Sequence, residues 1–130
     1  MEDINKYIGI PHYFGESSFD GCDCIGLVRL FYREHGWPQT FTDGKPEELT
    51  KENFAEPRMW RRLYEYLLKN FQCVDYDDLR FGDVVVMKFD SDEHLGIYLS
   101  YGKVLGMEVP TVYGESESTI YPREWWTPSF

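Results

Sequence analysis

Cysteine is scarce in this chain, basic charge is outnumbered, and no long apolar run occurs. Three cysteines leave at least one unpaired, and Cys22 and Cys24 lie too close in sequence for an easy mutual bridge. A disulfide scaffold is therefore not expected, and a reducing interior is the simpler inference. Thirteen Lys and Arg against 23 Asp and Glu give a net charge of −10. That balance argues against nucleic acid, whose phosphates need cationic neutralisation, and against adhesion to anionic membranes or wall polymers by bulk charge. No stretch approaches the roughly 18–20 apolar residues of a membrane span. Met1-Glu2-Asp3-Ile4-Asn5-Lys6 lacks the basic-then-apolar layout of a secretory signal, so the expectation is synthesis in the cytoplasm without an export address.

What is present is core material. Aromatic residues make up 18 % of 130 residues, enough for a single domain over residues 1–130 that buries about two-thirds of its unfolded surface. Residues 2–8 are predicted as a short amphipathic helix, with Ile4, Tyr7 and Ile8 on one side and Gly9 and Pro11 ending it. An aromatic, glycine-containing loop, residues 10–21, leads to Gly21-Cys22-Asp23-Cys24-Ile25-Gly26-Leu27-Val28. From Cys24 onward Leu27, Val28, Phe31 and Tyr32 recur at helical spacing, with Asp20 or Asp23 as cap and His35-Gly36 as the stop.

Residues 37–50 are polar and turn-like, without repeat or low-complexity tract. A second helix is predicted over residues 58–70, burying Trp60, Leu63, Tyr64, Leu67, Leu68 and Phe71, with Arg61, Arg62, Glu65 and Lys69 facing water. Residues 46–55 are left open as a separate helical piece. Beyond Phe71 the pattern turns to strands: residues 84–89, then 94–100 in clean alternation, a turn at Tyr101-Gly102, and a return over 103–109. Further short strands are expected near 111–113 and 118–121. Helices first and an antiparallel meander after them make an α+β layout.

Two residues in this frame carry chemistry. Cys24 falls at a helix start, where free amides and the dipole favour an anion and a thiol pKa can drop to roughly 3.5–7.5. An inert core thiol is the plain alternative, because free cysteines are among the most buried residues. His94 shares a strand face with Gly96, Tyr98 and Ser100. If Leu95, Ile97 and Leu99 face the core, His94 points to whatever covers the opposite face, and the helical half is the only cover expected. A Cys–His pair suits nucleophilic acyl transfer: imidazole takes the thiol proton and returns it to the leaving amine, while amides at the helix start receive the oxyanion. For His94 the alternative is a strand-end histidine bonded to a turn or solvated beside acidic residues. His35 is read only as a helix-end cation, and His12 stays open.

In chain order, Ile8-Gly9-Ile10-Pro11-His12-Tyr13-Phe14-Gly15, the Gly21-to-Val28 run, Phe81-Gly82-Asp83-Val84-Val85, and His94-Leu95-Gly96-Ile97-Tyr98-Leu99 with Gly102-Lys103-Val104-Leu105 resemble the NlpC-type cell-wall cysteine peptidases. The Gly-Cys-Asp-Cys-x-Gly-Leu-Val-Arg run, with Trp60-Arg61-Arg62 and Glu124-Trp125-Trp126, is similar to the version in tailed bacteriophages and gene-transfer agents. The resemblance implies a papain-like α+β fold and hydrolysis of amide bonds in peptidoglycan stem peptides, commonly beside D-glutamate, without a cofactor. It implies Cys24 as nucleophile, His94 as general base and Asp23 as a positioning residue, with His12 where many members have a tyrosine at the oxyanion site. The family's third polar residue falls at Gly106, which has no side chain; Glu108, two residues on and on the same face, is the expected substitute. Phage tail proteins are the implied assembly partners, and a virion or tail is the implied location. Two other readings compete: a tail-assembly protein that keeps the fold without turnover, and a metal module using Cys22, Cys24, Cys73 and a histidine.

Overall fold

The computed structural model describes residues 3–89, 92–108 and 116–128. Its first helix, α1 (Cys24–Glu34), starts where Asp23 turns the chain, with Asp23 Oδ1 accepting the Gly26 N–H at 2.6 Å. Cap and period agree with the sequence: Leu27, Val28, Leu30, Phe31 and Tyr32 are buried. The helix closes at His35, whose Nδ1 lies 2.6 Å from the Phe31 carbonyl and whose ring stacks on Phe31 at 4.1 Å.

The second helix, α2 (Pro57–Asn70), begins one residue earlier than predicted because Pro57 takes the first helical position, where a missing N–H costs nothing. Met59 and Leu63 are buried, while Leu68, expected inside, is 75 % exposed. Leu67 and Leu68 are about 100° apart around the helix, and Leu67 holds the inward place. Arg62, expected in water, instead grips Asp43 with Nε and Nη2, each at 2.8 Å, and so ties the preceding loop to α2. Residues 46–55 form turns rather than a helix. The predicted N-terminal helix is a single 3-10 turn, Asn5–Tyr7, anchored by Tyr7 against the Phe31 ring at 4.9 Å.

A short ribbon of β1 (Ser17–Ser18) and β2 (Gly21–Cys22) lies just before α1. The main sheet holds β3 (Val84–Phe89), β4 (Asp92–Ser100), β5 (Lys103–Gly106), β6 (Thr119–Tyr121) and β7 (Thr127–Pro128), all antiparallel, in the spatial order β6-β5-β4-β3-β7. The return strand stops at Gly106, short of the expected residue 109. The strand expected near 118–121 is β6, and the one expected near 111–113 lies outside the described residues.

Period two sorts the sheet into two faces. Leu95, Ile97, Leu99, Leu105 and Met107 pack with α1 in one core. Val85, Met87, Val104, Tyr121 and Trp126 form a second core on the other side. This corrects the expectation that the helical half covers the His94 face. The helices cover the Leu95 face, and the far face is closed by the downstream segment that carries Tyr121 and Trp126. Alternation alone says that two faces exist and leaves open which segment covers each.

Gly26 is the tightest joint. A Cβ there would stand 1.9 Å from the Glu16 carbonyl oxygen and 3.0 Å from Asp23 Oδ1. Gly26→Ala is expected to lose about 3 kcal/mol, the upper end of overpacking costs, because backbone must move. Gly36→Ala meets nothing within 4 Å and should lose only about 1 kcal/mol for its left-handed φ. Chemical denaturation of the two variants measures the difference.

Candidate active site

Cys24 is the first residue of α1 and is 8 % exposed. Burial, and after it the charge of Asp23, push the thiol up to about 12, against the nearby main-chain amides of Leu95, Ile25 and Cys24 itself, which favour the anion. The lowered pKa expected from a helix start is therefore reversed: loss of solvent exceeds what the helix-end amides return. The resting group is a neutral thiol, and a base must take its proton before it can attack.

Asp23 is 3 % exposed and bonded from both sides. Besides the Gly26 amide on Oδ1, Oδ2 accepts the Gly15 N–H at 2.8 Å. Burial raises its pKa, with the Gly15 and Gly26 amides working in the other direction. The carboxylate thus clamps the aromatic loop to the start of α1. On that loop Pro11 accepts the Cys22 N–H and Cys22 accepts the Tyr13 N–H, each at 3.0 Å, so His12 is held alongside Cys22, two residues before Cys24. The His12 ring is half-buried, edge-on to Phe14 at 4.5 Å, and burial lowers its pKa.

His94 is 6 % exposed and sits opposite Met87 across the β3–β4 ladder. Its neighbour Leu95 packs in the same core as Cys24. The two distant segments of the sequence therefore meet where the start of α1 touches the early residues of β4. The hydroxyl of Tyr64 on α2 donates to Glu93, which fixes the same end of β4 from a second helix.

Glu108 is half-buried, two residues beyond β5. The β4–β5 pairing sets Gly96 opposite Gly106 and Ile97 opposite Leu105 and ends there, so Glu108 lies just past the ladder at its His94 end. At Gly106 a Cβ would stand 2.5 Å from Met87 Cε and 3.2 Å from Tyr121 Cε2. Sequence reasoning missed Tyr121, because an alternating strand residue carries no mark of chemistry. It is 4 % exposed, its hydroxyl is hydrogen-bonded by the Glu108 main chain, and burial, then the charges of Glu108 and Cys24, raise its pKa.

A cleft lined by Gly15, Asp23, Ile25, Arg29, Arg62 and Tyr66, among others, flanks Cys24 without including Cys24 or His94. Its arginines are already engaged: Arg29 bonds the Thr40 and Phe41 carbonyls and Ser17 Oγ, and Arg62 bonds Asp43. Cys22 is buried, whereas Cys73 is exposed. Among the described residues no three His, Cys, Asp or Glu side chains stand close enough to hold a metal ion, and no helix is long and apolar enough to cross a membrane.

Cys22 gives a clean test of the buried thiols. Burial, then the charges of Asp23 and Cys24, push it from 9.0 up to about 12. The unfolded thiol ionises first, so the stabilising contribution is full below about pH 9 and is lost as pH rises towards 12. Stability should fall in that window by about 1.4 kcal/mol per pH unit for each such thiol. Cys22→Ala is expected to make the slope shallower by one proton's worth, as read from denaturation midpoints across that pH range.

The model of the NlpC/P60 family matches residues 9–127. Among solved structures, the NlpC/p60 domain of peptidoglycan hydrolase SagA superposes with a TM-score of 0.58 over 97 % of this chain and 92 % of that one, at 17 % sequence identity. Comparison with curated protein sequences finds no match.

Proposed function

Because the chain belongs to the NlpC/P60 family, we propose that it is a cysteine endopeptidase cutting amide bonds in peptidoglycan stem peptides. The observation that carries this reading is the buried Cys24 at the start of α1, packed in one core with Leu95, the residue next to His94. In the proposed reaction His94 takes the thiol proton and the sulfur attacks the amide carbon. The amides at the start of α1, beside His12, receive the oxyanion. The imidazolium then protonates the departing amine, leaving a thioester on Cys24. Water, deprotonated by the same imidazole, releases the acid. Asp23 keeps loop and helix in register through this cycle, and Glu108, just past the ladder at its His94 end, supplies negative charge. The solved domain of similar fold is described as part of a peptidoglycan hydrolase, which supports the substrate class.

The Gly21-to-Arg29 run and the net charge of −10 favour a phage-type enzyme that acts while held in a tail or comparable assembly. A second reading, a tail-assembly protein without turnover, draws on two observations: the side-chain-free position at Gly106 and the burial of Cys24.

Purified peptidoglycan separates the two. Wild-type protein is expected to release stem-peptide fragments, and folded Cys24→Ser to release none. His94→Ala should lower kcat/KM by about a thousandfold and slow alkylation of Cys24 at pH 7. A folded wild type with no turnover and no His94-dependent alkylation leaves the assembly reading standing.

Glu108→Gln removes a carboxylate, which lowers the pKa of a neighbouring imidazole. The acid limb of the rate profile should move to lower pH; an unmoved limb would remove Glu108 from the site.

A further inference from the structure

Gly96 and Gly106 lie side by side in the sheet, on the face that carries His94, and together leave a trough without side chains. The trough is filled from elsewhere. Met87 Cε would stand 3.1 Å from a Cβ at Gly96 and 2.5 Å from one at Gly106. The Tyr121 ring lies along the rest of it, with Cε2 and Cδ2 at 3.2 and 3.5 Å from the Cβ position of Gly106. Tyr121 belongs to the row of Val104, but its ring runs back across the row of Gly106. There its hydroxyl is hydrogen-bonded by the main chain of Glu108. Glu108 lies two residues beyond Gly106, and His94 two residues before its partner Gly96, so the phenol oxygen reaches towards the His94 end of β4 on the face that carries His94. It is also close enough to Cys24 for the thiol's charge to act on it.

The chemistry suits the place. A phenol oxygen has two acceptor sites; one takes the Glu108 N–H, and the other can take an imidazole N–H. A neutral acceptor of that kind holds a histidine ring in one tautomer and one orientation without competing for its proton, which is what the third member of a nucleophile–base–orienter arrangement does.

We propose that Tyr121 is the positioning residue of this site: reaching from β6 across Gly106, it holds one ring N–H of His94 so that the other nitrogen is presented to Cys24. A larger residue at 106 would displace the Tyr121 ring, which accounts for glycine there. The division of labour is then orientation by the Tyr121 hydroxyl and charge from the Glu108 carboxylate. This inference rests on the cysteine-peptidase reading, and its test does not depend on turnover alone.

Tyr121→Phe keeps the ring over Gly106 and removes only the oxygen. The expected result is an unchanged thermal midpoint, a KM within about twofold of wild type, and a kcat lower by about tenfold or more. Alkylation of Cys24 by iodoacetamide at pH 7 should slow in parallel. If kcat and alkylation both stay within about twofold of wild type in a folded variant, the proposal is overturned. Should the variant fail to fold, the wild-type protein alone decides. Its downfield proton spectrum should show an exchange-protected His94 ring N–H with a nuclear Overhauser contact to the Tyr121 ring. A protected N–H in contact with a different residue overturns the assignment. If wild type does not cleave peptidoglycan, the alkylation and the spectrum still report on Tyr121, so loss of the enzymatic reading and loss of this one remain distinct.

Discussion

One carboxylate sets the geometry of this molecule. Asp23 accepts the Gly26 amide on one oxygen and the Gly15 amide on the other, at 2.6 and 2.8 Å, while almost wholly removed from solvent. The Gly26 bond satisfies a donor that the fold would otherwise leave buried, and a buried donor without a partner costs about 1–3 kcal/mol. The helix side of the clamp carries Cys24, and the loop side carries His12. A shift of either segment would break one of the two bonds, so Cys24 and the loop beside it are placed as a unit. Gly26 has to be glycine for the same reason, since the loop carbonyl of Glu16 presses against that very position.

The sheet then acts as a partition between two kinds of packing. On the α1 side lie Leu95, Ile97 and Leu99, whose burial fixes β4 against the helix and brings the Leu95 main chain to the Cys24 sulfur. On the other side Met87, Tyr121 and Trp126 surround the face from which His94 projects. The contest at Cys24 between burial and helix-end amides is won by burial, which makes the imidazole's placement matter more than the dipole.

Much of this was readable from residue order. The period of Leu27, Val28, Phe31 and Tyr32 placed α1, the Asp23 cap placed its start, and the alternation from His94 to Ser100 placed β4 with its faces sorted. Cys24 and His94 stood out because their residue types are rare and their positions chemical. The face that covers His94 was not readable. Alternation gives two faces without naming their partners: Tyr121 arrives over the far side on β6, paired with β5, and Trp126 just ahead of β7, whose pairing with β3 no local pattern announces. Leu68 and Arg62 were misplaced for a related reason: helical spacing fixes an angle, while the partner loop around Asp43 decides which angle is wet. The third residue of the site was sought at Glu108, by strand parity from Gly106. The Tyr121 ring over Gly106 comes from the next strand, and only the fold brings it there.

The pairing of β7 with β3, and the lodging of Trp126 in the second core through a 2.8 Å bond from its indole N–H to the Gly102 carbonyl, bear on the order of biosynthesis. Cys24 emerges from the ribosome roughly a hundred residues ahead of the segment that walls in His94. The nascent chain can fold its helices and lay down β3 to β5 while the imidazole still stands open to water. The face from which His94 projects is therefore among the later parts to be completed, when β7 pairs with β3.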